Sequence, residues 1–430
     1  MTTALPLNQI SAGDAAAAIA AGKLTSEALV AACLDRISER EDEVRAWAYI
    51  DAELALKQAR QRDRETPRSR LHGIPVGVKD VIDTCDIPTE YGSPIYRGHR
   101  PACDAACVAQ VRELGGVILG KTVSTEFATR HPNKTRNPHN PGHTPGGSSS
   151  GSAASVADCM VPIAFGTQTS SSIIRPAAFC GVIGYKPTYN LINRAGLKFL
   201  SESLDTLGTL TRTIPDAALI VEELSGMAPT SFEDVAALKP RIGFCRTSNW
   251  NQADAPSQVA LESAARTLAA AGATVRDVEL PGEFARLAQT QIEVSSYEFF
   301  RALTHERTRF PQLISASLTA RIAAGGKVSR AQYEEGLVLA ERCRKRIADT
   351  FRDFDVLLAP SAPGEAPRGL EATGDPIFGL MWTLLLLPCL TLPHGKGPNG
   401  LPLGAQVIGP HGRDTALFVN AEWVRRALRE

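Results

Sequence analysis

Gly146-Gly147-Ser148-Ser149-Ser150-Gly151-Ser152-Ala153-Ala154 and Gly166-Thr167-Gln168-Thr169-Ser170-Ser171-Ser172-Ile173-Ile174-Arg175-Pro176-Ala177-Ala178-Phe179-Cys180-Gly181 decide how this chain is read. Side chains this small suit neither an ordinary amphipathic helix nor an ordinary strand. Together they offer many hydroxyls, many backbone N–H groups and one Arg. Upstream, a single Lys closes the apolar run Gly73-Ile74-Pro75-Val76-Gly77-Val78-Lys79-Asp80.

Outward from these stretches the pattern alternates between helix, Gly and strand. Pro75 to Val78 is a compact apolar strand ending at Lys79. Asp104 to Leu114 has helical spacing with a Gly115 stop, and Val117 to Leu119 is again a strand. Ala153 to Ala157 begins a small-residue helix, and Pro162 to Phe165 and Gly181 to Gly184 read as strands. Further strands fall at Arg241 to Cys245, Ala273 to Val278, Val356 to Ala359, Cys389 to Leu392 and Gly404 to Val407. Helices at Pro256 to Ala271, Ser295 to Arg307, Arg330 to Phe351 and Thr415 to Leu428 fill between them. This is α/β grammar. The expectation is one large domain over 1–430 with a central mixed β-sheet flanked by helices. A mainly helical region at 284–346 is expected to form a lobe beside the sheet and to shape the substrate pocket.

Composition narrows the partners. The 430 residues are 43% hydrophobic and carry 46 Lys+Arg against 46 Asp+Glu, so neither a basic surplus nor a charge block points to nucleic acid. The longest apolar stretch, near Leu384 to Leu390, is broken by Pro388 and too short to span a bilayer, so no membrane partner is expected. Nine Cys, several in apolar contexts, read as buried thiols in a reducing compartment. Met1 to Pro6 lacks a basic region followed by an apolar run. A cytoplasmic protein is expected. The oligomeric state is not legible, and a homodimer is among the possibilities.

Three motif matches dissolve on inspection. Gly115 to Thr122 fits the phosphate-loop expression letter for letter, but its variable positions are Val-Ile-Leu, the strand itself, and a helix precedes it. Gly147 to Gly151 approximates a nucleophile elbow around Ser149, yet Asn140 to Gly146, with two prolines, cannot be the strand such an elbow needs. His131, His139 and His143 cluster without a Cys or carboxylate at ligand spacing, and Cys103 and Cys107 lack a second pair. No metal and no cofactor are expected.

Lys79, Ser148 and Ser172 remain. A Ser hydroxyl is a poor nucleophile until a base takes its proton, and Lys serves as that base only when kept neutral. An apolar strand leading into Lys79 makes a desolvated amine plausible; a Lys neutralised by Asp80 at a strand end is the simpler alternative. Ser172 follows a strand and a run of small residues whose N–H groups could converge on one point, as an oxyanion hole requires.

These residues resemble the amidase signature family. The pieces that agree are Gly77-Val78-Lys79-Asp80, Pro88 to Pro94, Pro145 to Ala154, Gly166 to Gly181 and Gly184-Tyr185-Lys186-Pro187-Thr188. Leu387-Pro388, Leu392-Pro393, Gly400 to Gln406 and Gly409-Pro410 add to them. The likeness is strongest over a signature core, 73–188, and weakest in the helical region.

The resemblance implies a base at Lys79, a bridging Ser at Ser148 preceded by a cis peptide bond, and a nucleophile at Ser172. It also implies an oxyanion hole from the N–H groups of Thr169, Ser170 and Ser171. The implied activity is hydrolysis of a small-molecule amide or carbamate through an acyl-enzyme, without a cofactor. The A-type subunit of a glutamine-dependent amidotransferase and a catalytically silenced relative are the alternatives. The pattern around Ile173 to Pro176 is similar to that of small-molecule amidases of the malonamidase kind. This makes Arg175 either a partner for a substrate carboxylate or a brace for the turn. One departure stands out: the family places Gly-Gly where this chain has Ser170-Ser171. The two side chains could narrow the pocket, supply a hydrogen bond or cripple turnover.

Overall fold

The computed structural model describes residues 5–429. Residues 1–4, on which most of the reading of Met1 to Pro6 rests, lie outside them. Eleven strands follow one another along the chain: β1 (Trp47–Ile50), β2 (Pro75–Lys79), β3 (Val117–Thr122), β4 (Ile163–Gln168), β5 (Ile183–Lys186) and β6 (Thr206–Thr211), then β7 (Arg241–Phe244), β8 (Thr274–Asp277), β9 (Val356–Pro360), β10 (Cys389–Lys396) and β11 (Pro402–Ile408). They form one sheet in the order β1-β3-β2-β4-β6-β5-β10-β11-β9-β7-β8. Pairing is parallel from β3 through β2 to β4 and from β9 through β7 to β8, and antiparallel elsewhere. The chain is a single α/β domain with a large mixed sheet, as expected.

Every residue of β2, β3 and β4 is buried, which explains their unbroken apolar reading. Pro75 opens β2, a strand position proline tolerates. The helices of the first half are α1 (Ala12–Ala20), α2 (Ser26–Val44), α3 (Ala52–Arg62), α4 (Ala106–Glu113), α5 (Ser150–Ala157), α6 (Ile174–Cys180) and α7 (Ile214–Ser225). The second half adds α8 (Ala255–Ala270), α9 (Leu287–Ala302), α10 (Thr304–Arg309), α11 (Ala316–Gly325), α12 (Arg330–Asp353), α13 (Ile377–Leu384) and α14 (Asp414–Ala427). Among the described residues no helix is long and apolar enough to cross a membrane.

Helix α5 explains the first diagnostic stretch. It begins at Ser150, three residues before the Ala-rich segment, and is buried from Ser150 to Val156. Such depth leaves no room for side chains. A Cβ on Gly151 would stand 2.2 Å from the Ala46 carbonyl oxygen and 2.3 Å from the Val123 nitrogen.

Several elements differ from the sequence reading. Helix α6 arises within what read as a Ser-rich turn, because its Pro176 falls in the first turn, where proline costs no hydrogen bond. Strand β6 and helices α7 and α13 had no expectation at all. Strand β5 starts at Ile183 rather than Gly181, whose φ of 69° caps α6 instead. The helix expected over Ser295 to Arg307 is two, α9 and α10, with a break at Leu303.

Candidate active site

Lys79 ends β2 with its side chain fully buried. Its Nζ donates to Ser148 Oγ at 2.8 Å and to Thr167 Oγ1 at 2.7 Å, with the Thr167 carbonyl at 3.4 Å. Asp80 does not neutralise it. That carboxylate accepts from the N–H groups of Glu90 (3.0 Å) and Gly92 (3.4 Å) and lies 3.9 Å from the Nζ of a different residue, Lys121. Burial therefore pushes the Lys79 pKa well below the ordinary lysine value, against a weaker opposing pull from Asp205.

Ser148 follows a cis peptide bond from Gly147. The Gly147 carbonyl accepts from Arg175 Nη2 at 2.7 Å, and the Ser148 carbonyl accepts from Thr125 N–H at 3.2 Å. Ser172 sits between β4 and α6, and its carbonyl accepts from Ser149 N–H at 3.2 Å, which places it beside the Ser148 segment. Exposure rises outward along the three residues: Lys79 and Ser148 are 0% exposed and Ser172 7%. The structure thus brings together the Lys and two serines singled out by sequence.

The turn from Thr169 to Ser171 is held from behind. Gln291 on α9 donates from Nε2 to the Thr169 carbonyl at 2.7 Å and to Ser170 Oγ at 3.1 Å. Thr383 on α13 donates to the Ser170 carbonyl at 2.7 Å. Thr169 Oγ1 donates to the Asp205 carboxylate. Gln168 accepts on Oε1 from the N–H groups of Ile173 (2.9 Å) and Ile174 (3.1 Å). Among the described residues, the N–H groups of Ser170, Ser171 and Ser172 donate to no other protein group. Neither Ser170 nor Ser171 has a positive φ, so their backbone does not demand the glycines the family places there. Ser171 Oγ is buried without a partner, against Gly379 of α13.

Arg175 is buried, and its Nη2 donates to Thr373 Oγ1 (3.2 Å) as well as to Gly147. Burial, then repulsion from Arg130, lowers its pKa to about 9, with Asp375 opposing. The motifs set aside have structural duties. Lys121 is buried on β3 and donates to Thr89 Oγ1 at 2.9 Å. His139 Nε2 bonds the Cys180 carbonyl and His143 Nδ1 the Ala366 carbonyl, each at 2.8 Å. Among the described residues no group of three His, Cys, Asp or Glu side chains could hold a metal.

Sequence reasoning missed Thr167, Gln291 and Thr383. Thr167 stands inside the second diagnostic stretch, next to the last residue of β4, on the strand that runs into the turn, so it was within reach. Gln291 and Thr383 come from helices far along the chain, and no local pattern marks them.

Comparisons with known proteins give the family and the fold. The Amidase family profile matches residues 28–418, and the chain belongs to that family. It is 32% identical to the A-type subunit of the glutamyl-tRNA(Gln) amidotransferase from Anaeromyxobacter sp. (strain K), covering 99% of this chain and 98% of that protein. A solved structure described as an amidase superposes with a TM-score of 0.89 at 29% identity, over 97% of this chain and 100% of the other. The native peptide amidase of Stenotrophomonas maltophilia superposes with a TM-score of 0.84 at 29% identity, over 99% and 98%.

Proposed function

We propose that this protein hydrolyses the C–N bond of a small-molecule amide or carbamate through a Lys79–Ser148–Ser172 relay. The observation that carries the reading is a fully buried Lys79 whose Nζ stands 2.8 Å from Ser148 Oγ while its neighbouring carboxylate is engaged elsewhere. Neutral Lys79 takes the Ser148 proton as Ser148 takes that of Ser172. The Ser172 oxygen then forms a bond to the amide carbonyl carbon. The resulting oxyanion lies toward the N–H groups of Thr169, Ser170 and Ser171. Returning through Ser148, the proton passes to the departing amine as the C–N bond breaks, leaving an ester on Ser172. Water adds to that ester, its proton entering the same relay, and the acid leaves. In this reading Arg175 braces the Gly147–Ser148 peptide. The signature core 73–188 supplies the chemistry and the 284–346 region shapes the pocket. All nine cysteines are free, which supports a reducing, cytoplasmic setting.

A panel of amides and carbamates, read by ammonia or amine release with wild type and Ser172→Ala, tests the proposal. Equal turnover by both proteins rejects the nucleophile.

A second reading, an A-type amidotransferase subunit, is favoured by 32% and 33% identity, over 99% of this chain, to two subunits of that type. Glutaminase activity that needs a co-expressed partner would support it over the first.

A further inference from the structure

Thr169 opens the turn before the proposed nucleophile, and its hydroxyl donates to the Asp205 carboxylate. The register of the sheet puts the two residues side by side. Gln168, the last residue of β4, pairs with Thr206, the first of β6, and the two strands are antiparallel. Thr169 and Asp205 are therefore the next residues outward on neighbouring strands. Gln291 and Thr383 hold the turn by its carbonyls from the helical side, whereas Asp205 holds it by a hydroxyl from the sheet.

Asp205 is a buried carboxylate without a cation of its own. Among the described residues it forms no ion pair, and the Arg194 guanidinium donates to the Asp205 carbonyl (2.8 Å), not to its side chain. The carboxylate oxygens accept from Thr169 Oγ1 and from the N–H groups of Leu200 (2.8 Å) and Ser201 (3.1 Å). A buried charge is tolerated only when hydrogen-bonded in this way. All three partners are donors, which suits the ionised form; a protonated acid would aim its own O–H at a donor.

Burial raises the Asp205 pKa, the three donors pull it back, and Glu298 adds repulsion. The titratable groups that interact with this carboxylate are Lys79 on β2, Arg321 on α11, Glu298 on α9 and Tyr189 after β5. For Lys79, whose neighbour Asp80 is engaged elsewhere, Asp205 supplies the charge that opposes burial.

We infer that Asp205 is a positioning residue of this site: through the Thr169 hydroxyl it fixes the turn that carries the proposed oxyanion donors, and through its charge it acts on the Lys79 amine. The inference rests on the amide-hydrolase reading above. One carboxylate then governs both the stabiliser and the base. The sign follows from the charge. Removing it disfavours the charged amine further, so Lys79 titrates at lower pH, while the loosened turn slows the chemical step.

The test compares wild type, Asp205→Asn and Thr169→Val by pH–rate profiles on a turned-over amide. Asp205→Asn should lower the plateau kcat about 10-fold with KM little changed, the scale of one lost hydrogen bond to a charged group. Its acid limb should move down by about 0.5 to 1 pH unit, less than a directly paired charge would give. Thr169→Val keeps the charge, so its plateau should fall with the limb nearly unmoved. A lowered plateau with an unmoved limb in Asp205→Asn would reduce the residue to a structural role and overturn the inference, as would an unchanged plateau in Thr169→Val. Should Asp205→Asn fail to fold, the Thr169→Val plateau decides alone. NMR titration of protein labelled at lysine Cε, with Lys79→Met supplying the assignment, reads the amine without turnover. Should no amide be hydrolysed, the hydrolase reading fails by itself. A Lys79 midpoint lowered by Asp205→Asn would then uphold the hold of Asp205 on the amine, and an unmoved midpoint would overturn it.

Discussion

Lys79 reaches Thr167 as closely as it reaches Ser148: the Thr167 hydroxyl is 2.7 Å from Nζ and the Ser148 hydroxyl 2.8 Å. The amine is thus held between two alcohols, one with no place in the proposed proton path. Thr167→Val removes an acceptor that favours the charged form and frees the Lys79 side chain to turn. The plateau kcat is expected to fall about 10-fold, the scale of one lost hydrogen bond to a charged or polarised group. The acid limb of the pH profile should move to lower pH. A pH–rate profile of the variant checks both, and a plateau drop with an unmoved limb would deny the contact its electrostatic part.

For the wild type the sign follows from burial. The charged form of Lys79 is disfavoured, so its pKa lies well below the usual lysine value. The competent form is neutral, hence kcat should rise with pH through that lowered pKa and be lost on acidification. Lys79→Met should abolish the limb together with the activity. A rate constant across mildly acidic to mildly alkaline pH would contradict a lysine base.

Gln291 connects the helical region to the turn. Gln291→Leu leaves the Thr169 carbonyl and Ser170 Oγ without their donor, while removing a buried Oε1 that has no partner. The two effects on stability oppose each other, so urea denaturation should show a loss of only about 1 kcal/mol. Turnover should suffer more, with kcat about 10-fold lower and KM little changed, as steady-state kinetics would reveal.

Ser171 and Gly379 share one space. A Cβ at position 379 would lie 2.5 Å from Ser171 Cβ and 2.6 Å from both Ser171 Oγ and the Ser170 carbonyl oxygen. Gly379→Ala is expected to cost about 1 to 3 kcal/mol by overpacking. Ser171→Gly should rescue only part of that, because the Ser170 carbonyl remains. A thermal-melting double-mutant cycle reads the coupling, and simple additivity would disprove it.

How far the sequence disclosed this architecture depends on distance along the chain. Strands β2 and β4 were legible because strands buried on both faces read as apolar runs. Lys79, Ser148 and Ser172 were legible because small residues crowd wherever backbone must approach backbone, as at Gly151. Helix α6 was hidden by the serines before it and by Pro176, which usually signals a break. Strand β6, Thr-Leu-Gly-Thr-Leu-Thr, lies in the middle of the sheet yet lacks the unbroken apolar run expected there. Gln291 and Thr383 were invisible for another reason. Their meaning comes from pairings across the fold that no local spacing encodes.

The proposed reacting groups all precede position 176, whereas Gln291, which holds the Thr169 carbonyl, arrives on α9, in a later helical stretch. On the proposed reading, the bond-breaking groups and the pocket-shaping region come from separate stretches of the chain. Transplanting residues 284–346 from a relative onto this scaffold should therefore change the repertoire of molecules accepted while the bond-breaking apparatus stays in place.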